Sequence, residues 1–425
     1  MQKAKPGAPE HDMSRLKTGK KLESWWIAIS VIALTPLIHT IMTWDSDGLL
    51  SSRAFAMRHF SVPVMLLEIG MIFLAITKGF ELKTASSNWP RGLKILVTIW
   101  FAFAMFSCFL HIGDAGLSLF ITFRYMLHGL VLAAVVFVVS MKRSFDIYVY
   151  LKILTIGAIA YLLALVVFIA LIAEPDSFAW VLRLPSATNV RQIGNNLSLL
   201  AIAPIVLILT RDTSNRLAYI VTVSLIVAFV TWTGTRGGLF GLTVGIMVAI
   251  LATKEFTTIR NVGLLLASSI LGLLISFPLF KPDPQFGLFR IVSSISSEDA
   301  SSGRIDIWGY TINEIAKRPF LGFGSGRFRD NMRELYDFDF NHPHNVVLQY
   351  VYDWGIIGGG AGLLILSWLG IRLFSTNDNG SSVRFVSIAG FTATLAISMI
   401  EGTLFHPLPI FICIALVSPA LIVKK

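Results

Sequence analysis

Long apolar runs separated by short polar loops dominate the chain. Runs of bilayer length, which takes about twenty residues, fall near 25–44, 61–80, 93–112, 115–140, 148–173, 194–210, 217–234, 237–253, 261–280, 346–373, 384–401 and 407–423. This pattern predicts an all-α polytopic membrane protein of about twelve transmembrane helices. TWTGTRGG interrupts the stretch 217–253, where Gly and Arg suit a tight turn at the interface. The resulting layout is a tail over 1–24, helices over 25–280, a long loop over 281–345, and three further helices with a short tail over 346–425.

Composition agrees with the pattern. The 425 residues are 55% hydrophobic and only 14% charged, with a mean hydropathy of +0.72, which excludes a soluble multi-domain class. A formal net charge of +10 would suggest nucleic acid in a soluble protein. Here the cations are spread over short loops, so they carry a topological message and no nucleic-acid partner is implied. The first run, Trp25 to Trp44, exceeds a signal-peptide core and reads as a retained span. Cys108 and Cys413 sit inside apolar runs and read as packing residues.

Every second loop is basic. One side collects the N-terminal Lys and Arg cluster, Lys78 to Lys94, Lys142 and Arg143, Arg211 and Arg216, Lys254 and Arg260, Arg372 and Arg384, and Lys424 with Lys425. That alternation puts both termini in the cytoplasm and the loops 174–194 and 281–345 outside. Long translocated loops escape the charge rule, so the mixed charges of 281–345 do not contradict it.

Within that loop, RIDIWGYTINEIAK (Arg304 to Lys317) reads as a helix stopped by Pro319. Ile305, Trp308, Ile312 and Ile315 form its apolar stripe, which suits a helix lying on the membrane surface or packed on the bundle top. Gly322-Phe323-Gly324-Ser325-Gly326-Arg327 lacks the spacing of phosphate-binding loops and reads as a flexible turn.

Candidate chemistry gathers on the outer side. FNHPHNVVLQYVYDWGIIGG, from Phe340 to Gly359, runs a two-histidine stretch straight into a membrane helix. Histidine exchanges protons near neutral pH, so His344 is the candidate general base, with Asn345 capping the helix that follows. His342 and His344 could instead share a metal, but the further carboxylate or cysteine ligands that a site needs are not apparent. A purely structural histidine bonded to a loop carbonyl is the plainer alternative. Arg191, in NVRQIGNN, and Arg236, in TGTRGG, each read singly as interfacial anchors. Converging, two guanidinium groups would grip a diphosphate, and glycines beside Arg236 would let a ligand approach the backbone. Arg124, one turn from His128 inside the fourth run, costs at least about 2.5–3.5 kcal/mol to insert and therefore needs a partner or polar cavity. Glu401 and His406 are candidate partners or supporting groups.

These segments in this order resemble the O-antigen ligase family of the wider Wzy/O-antigen ligase superfamily. The carriers are Arg191, TGTRGG, SGRIDIW with Arg304, RPFLGFGSGRF, and HNVVLQYVYDWGIIGG, over about residues 180–360. The resemblance implies a GT-C-like glycosyltransferase of the bacterial inner membrane with its active site facing the periplasm. Its donor would be a glycan on undecaprenyl diphosphate and its acceptor lipid A–core, amid membrane lipids, with neither metal nor cofactor. The family's base maps onto His344 and its diphosphate-binding arginines onto Arg191 and Arg236, while His342 has no firm counterpart. A good leaving group needs only cations beside it, so one base acting on the acceptor hydroxyl suffices. Arginines nearby would disfavour the base's charged form, and attack opposite the leaving group would invert the anomeric centre. O-antigen polymerases and protein O-oligosaccharyltransferases share the His-Asn and Gly-rich patterns. A secondary transporter using Arg124, His128 and Glu401 is the rival from another class, although paired broken helices are not evident.

Overall fold

A computed structural model describes residues 24–44, 57–87, 89–110, 115–141, 145–172, 174–209, 215–254, 258–288, 290, 303–336, 340–375 and 381–422. The N-terminal basic cluster, Lys142, Arg143, Arg211, Lys424 and Lys425 lie outside the described residues.

The protein is all-α. In chain order the helices are α1 (Ser24–Met42), α2 (Val62–Thr77), α3 (Leu82–Ser87), α4 (Arg91–Cys108), α5 (Ala115–Ser140), α6 (Ile147–Ala170), α7 (Trp180–Arg183), α8 (Val190–Leu200) and α9 (Ile202–Leu209). They continue with α10 (Arg216–Trp232), α11 (Arg236–Thr253), α12 (Ile259–Ser276), α13 (Arg304–Lys317), α14 (Phe328–Tyr336), α15 (Val346–Ser375), α16 (Ser381–Ser398) and α17 (Pro407–Leu421). Among the described residues nine helical stretches are long and apolar enough to cross a membrane, with α8 and α9 forming one of them. The shorter apolar helices α2, α10 and α17 occupy the remaining predicted positions.

Packing follows side-chain size. The stretch Val190–Leu209 is 94% buried and forms the central column, whereas Ile259–Ser276 is 17% buried and stands at the periphery. Gly237, Gly241 and Gly245, spaced four residues apart, make a row along α11 that seats it on α16. A β-carbon on Gly245 would stand 2.6 Å from the Ala389 carbonyl oxygen, and one on Gly241 2.9 Å from that of Ala393. Small residues at this spacing let helix backbones touch where lipid offers no hydrophobic driving force. The same row brings the first turn of α11, with Arg236, against the end of α16, with Glu401.

Helix α15 is broken. Gly355 has φ 68 and ψ 178, values outside any helix. The chain from Pro319 to Ser325 fills the break: Ile356 N–H donates to the Pro319 carbonyl at 2.7 Å, Phe323 N–H to Tyr352 at 2.8 Å, and Gly324 N–H to Asp353 at 2.9 Å. An unsatisfied backbone group at membrane depth costs several kcal/mol, so a helix breaks there only where other protein groups replace the lost bonds. Ser325 completes the insertion, accepting from Trp354 Nε1 at 2.8 Å and, through its carbonyl, from Ser118 Oγ at 2.7 Å. The glycine-rich segment is therefore a packed plug, and the expected flexible turn is corrected.

Helix α13 forms over the predicted residues, with a different buried face. Ile307, Thr311 and Glu314 point inward while Ile305 and Ile312 are exposed. Trp308 holds the histidine loop, its Nε1 donating to the Pro343 carbonyl at 2.9 Å.

Candidate active site at the helix ends

Three helix starts and one helix end meet beside the histidine loop. Asn189 begins α8 by accepting from the Arg191 N–H at 2.9 Å, which fixes Arg191 on the first turn. Thr235 precedes α11 and donates to the Arg191 carbonyl at 3.3 Å, tying the first turns of α8 and α11 together. Asn345 caps α15, its Oδ1 accepting from Val347 N–H at 3.0 Å and Leu348 N–H at 3.1 Å. Its amide also donates to the Met399 carbonyl at 3.2 Å, so the histidine loop is pinned to the end of α16.

Glu401 stands at the centre. Its Oε1 accepts from Arg304 Nη2 at 2.5 Å, and its Oε2 lies 3.6 Å from His344 Nδ1. Burial works to raise the Glu401 carboxyl, but His344, Arg304 and Arg191 outweigh it and hold the group below the usual carboxylate range. Arg191 donates to Gln285 Oε1 at 2.9 Å. Arg290 donates to the Gly234 carbonyl at 2.9 Å, under the turn that presents Arg236. Burial, then repulsion from Arg191 and Arg236, lowers Arg290 to about 10. Arg191, Arg290 and Arg304 thus interact with one carboxylate, and Arg236 stands close enough to repel Arg191 and Arg290, an excess of positive charge suited to a polyanion.

The histidines differ in kind. His342 is buried, and its ring fills the space where a β-carbon on Gly402 would stand. Its Nδ1 accepts the His344 N–H at 3.2 Å, a role open only to an unprotonated nitrogen. Desolvation, with His344 and His406 nearby, pushes His342 well below the ordinary histidine value. His406 is lowered to about 3 by burial and then by Arg124, His59 and His344, and its Nε2 meets Gln192 Nε2 at 2.9 Å. His344 is the more open of the pair, and its backbone takes φ 54, a left-handed value found for few residues besides Gly, Asn, Asp and His. Among the described residues no group of three or more His, Cys, Asp or Glu side chains is disposed to hold a metal ion.

The structure brings together His344, His342, Asn345, Arg191, Arg236, Arg304 and Glu401 of the sequence candidates. It separates Arg124, whose Nη2 donates to the Phe405 carbonyl at 2.6 Å with the guanidinium 5.2 Å from that ring centre. Arg124 therefore supports the floor below His406, and neither Glu401 nor a polar cavity is its partner. His128 pairs with Glu68 at 2.6 Å. The glycines around Arg236 are not open to a ligand either: Gly237 is covered by Glu401, and Gly238 by Ser198 and Asn195. Arg290 was not distinguishable in the sequence because nothing in its neighbours sets it apart from other loop cations.

Fold and site together define an all-α polytopic membrane protein with a cationic, histidine-bearing cluster at one set of helix ends. Residues 221–363, which include Arg236, Arg290, Arg304, His342 and His344, match the family model described as O-antigen ligase. It is also similar to a Pseudomonas aeruginosa protein named O-antigen ligase, 25% identical over 198 residues that make up 45% of this chain and 43% of that protein. The chain therefore spans less than half the length of the curated relative it matches.

Proposed function

We propose that this protein transfers an O-antigen glycan from undecaprenyl diphosphate to lipid A–core oligosaccharide at the periplasmic face of the inner membrane. The observation that carries this reading is the convergence of Arg191, Arg236, Arg290 and Arg304 around the Glu401–His344 pair. The match of residues 221–363 to the O-antigen ligase family model and the Pseudomonas relative's name support it.

In this reading the arginines hold the diphosphate and stabilise the charge that grows on it as the glycosidic bond breaks. His344 takes the proton of the acceptor hydroxyl, whose oxygen bonds to the anomeric carbon from the face opposite the departing diphosphate. The products are the ligated glycan, undecaprenyl diphosphate and a protonated histidine, and the anomeric centre inverts. No metal takes part in the proposed step. His342 and His406, kept neutral by burial, line the site without competing for the proton.

The test uses purified protein in lipid nanodiscs with glycan-loaded undecaprenyl diphosphate, with and without lipid A–core. Ligated lipid A–core, with no lengthening of the glycan on donor alone, is expected. Lengthening on donor alone would instead assign a polymerase, and transfer to a protein acceptor an O-oligosaccharyltransferase. A strain lacking the protein should lose O-antigen-capped lipopolysaccharide and accumulate lipid-linked polymer.

A further inference from the structure

We infer that Glu401 is the positioning residue of His344, holding the proton on Nδ1 so that Nε2 is the nitrogen that meets the acceptor hydroxyl. The inference rests on the proposed role of His344 as base.

Three observations support it. First, His344 Nδ1 is buried and has no hydrogen-bond partner, and the Glu401 carboxylate oxygen Oε2 stands 3.6 Å from it. That is ion-pair range and only a small movement from a hydrogen bond. A buried polar nitrogen left unpaired costs about 1–3 kcal/mol, so it favours whatever movement closes the gap. Second, Glu401 cannot swing freely. Arg304 grips its other oxygen at 2.5 Å, its Cγ lies where a Gly237 β-carbon would intrude, and its N–H donates to the Ile397 carbonyl at 2.7 Å. Third, the remaining side of the imidazole is already shaped: the His342 ring centre lies 4.4 Å away at 69°, and the Phe340 ring centre 5.6 Å away at 79°. These rings fix the plane of His344 while Glu401 fixes its tautomer.

The chemical consequence is a two-residue arrangement. As Nε2 accepts the hydroxyl proton, the imidazolium forms beside a carboxylate already desolvated and ionised, so charge appears next to its counter-charge. The charged and titratable groups around the pair include Arg304 from α13, Arg191 from α8, Arg236 from the start of α11, Arg290, His342 from the loop and His406 from the start of α17. Among the described residues Glu401 is the anion that faces these cations.

The test compares wild type, Glu401→Gln and Glu401→Asp in nanodiscs, reading kcat and donor KM across pH. The neutral isostere should lower kcat by about tenfold or more. It should also move the acidic limb of the pH–rate profile about one unit to lower pH, with donor KM changed less than threefold. Asp should restore part of the rate and return the limb toward wild type. An unmoved limb with Gln would overturn the inference, whereas an inactive wild type or an active His344→Ala would overturn the underlying assignment of the base. In parallel, ¹⁵N-histidine spectra of the unmutated protein, with His344 assigned from its missing signal in His344→Gln, should place the proton on Nδ1. A proton on Nε2 would contradict the inference however the Glu401 variants fold.

Discussion

The backbone of Gly322 packs directly on that of Gly355: a β-carbon on Gly322 would stand 2.6 Å from the Gly355 nitrogen. Both residues have φ 68, so alanine would be strained at either position before any clash. This contact joins the loop that carries α13 and Arg304 to the helix that begins at the histidine loop. Gly322→Ala and Gly355→Ala should each destabilise the protein by about 1–3 kcal/mol or more. Gly360→Ala, in the same helix with nothing within 4 Å of the new methyl, should be neutral or slightly stabilising. Thermal unfolding in detergent measures all three; equal midpoints would remove the plug from the account.

A second expectation concerns the diphosphate. Arg191→Ala, Arg236→Ala and Arg290→Ala should each lower kcat/KM for the lipid-linked donor by roughly 100-fold, the size of a lost oxyanion-stabilising contact. Lysine at 191 or 236 should rescue only partly, because a point charge does not reproduce the planar fork. Steady-state kinetics with the donor decide it, and full activity of a lysine variant would dismiss bidentate gripping at that position.

Stability should depend on pH through the buried histidines. His406 is lowered to about 3 in the folded protein, against about 6.5 when unfolded. Between these values the unfolded chain binds the extra proton, so stability is full above about 6.5 and is lost as pH falls toward 3, by up to about 1.4 kcal/mol per pH unit. His342 is shifted in the same direction. His406→Gln should flatten the fall of the unfolding midpoint between pH 6.5 and pH 4. An unchanged slope would mean that His406 is already solvated in the folded state.

Much of this architecture was readable from apolar run length alone. The splits at TGTRGG and before Val346, the helix over 304–317 and the Asn345 cap all follow from local rules that tertiary context leaves intact. What local rules missed depended on contacts distant in sequence. Gly322 and Gly355 read as a flexible turn and an ordinary helix residue because each explains the other. Likewise, Gly237 read as room for a ligand because its neighbour Glu401 is distant in sequence, just past the end of α16. Arg124 was legible as needing a partner, but a backbone carbonyl such as that of Phe405 has no signature in sequence.

Orientation is open to direct measurement. In a background without Cys108 and Cys413, cysteine at Asn341 should react with a membrane-impermeant thiol reagent added outside spheroplasts. Cysteine at the exposed Ser87 should react only after lysis. The reverse pattern would put the arginine cluster on the cytoplasmic face, out of reach of a periplasmic donor.

The most direct measurement of the central claim is transfer by purified His344→Ala and His342→Ala beside wild type, with saturating donor and lipid A–core. The account predicts that His344→Ala loses about 10²–10⁴ in kcat, reaching the detection limit, while donor binding and the unfolding midpoint stay near wild type and His342→Ala keeps measurable activity. Wild-type turnover by His344→Ala would contradict it and remove the general base from the mechanism.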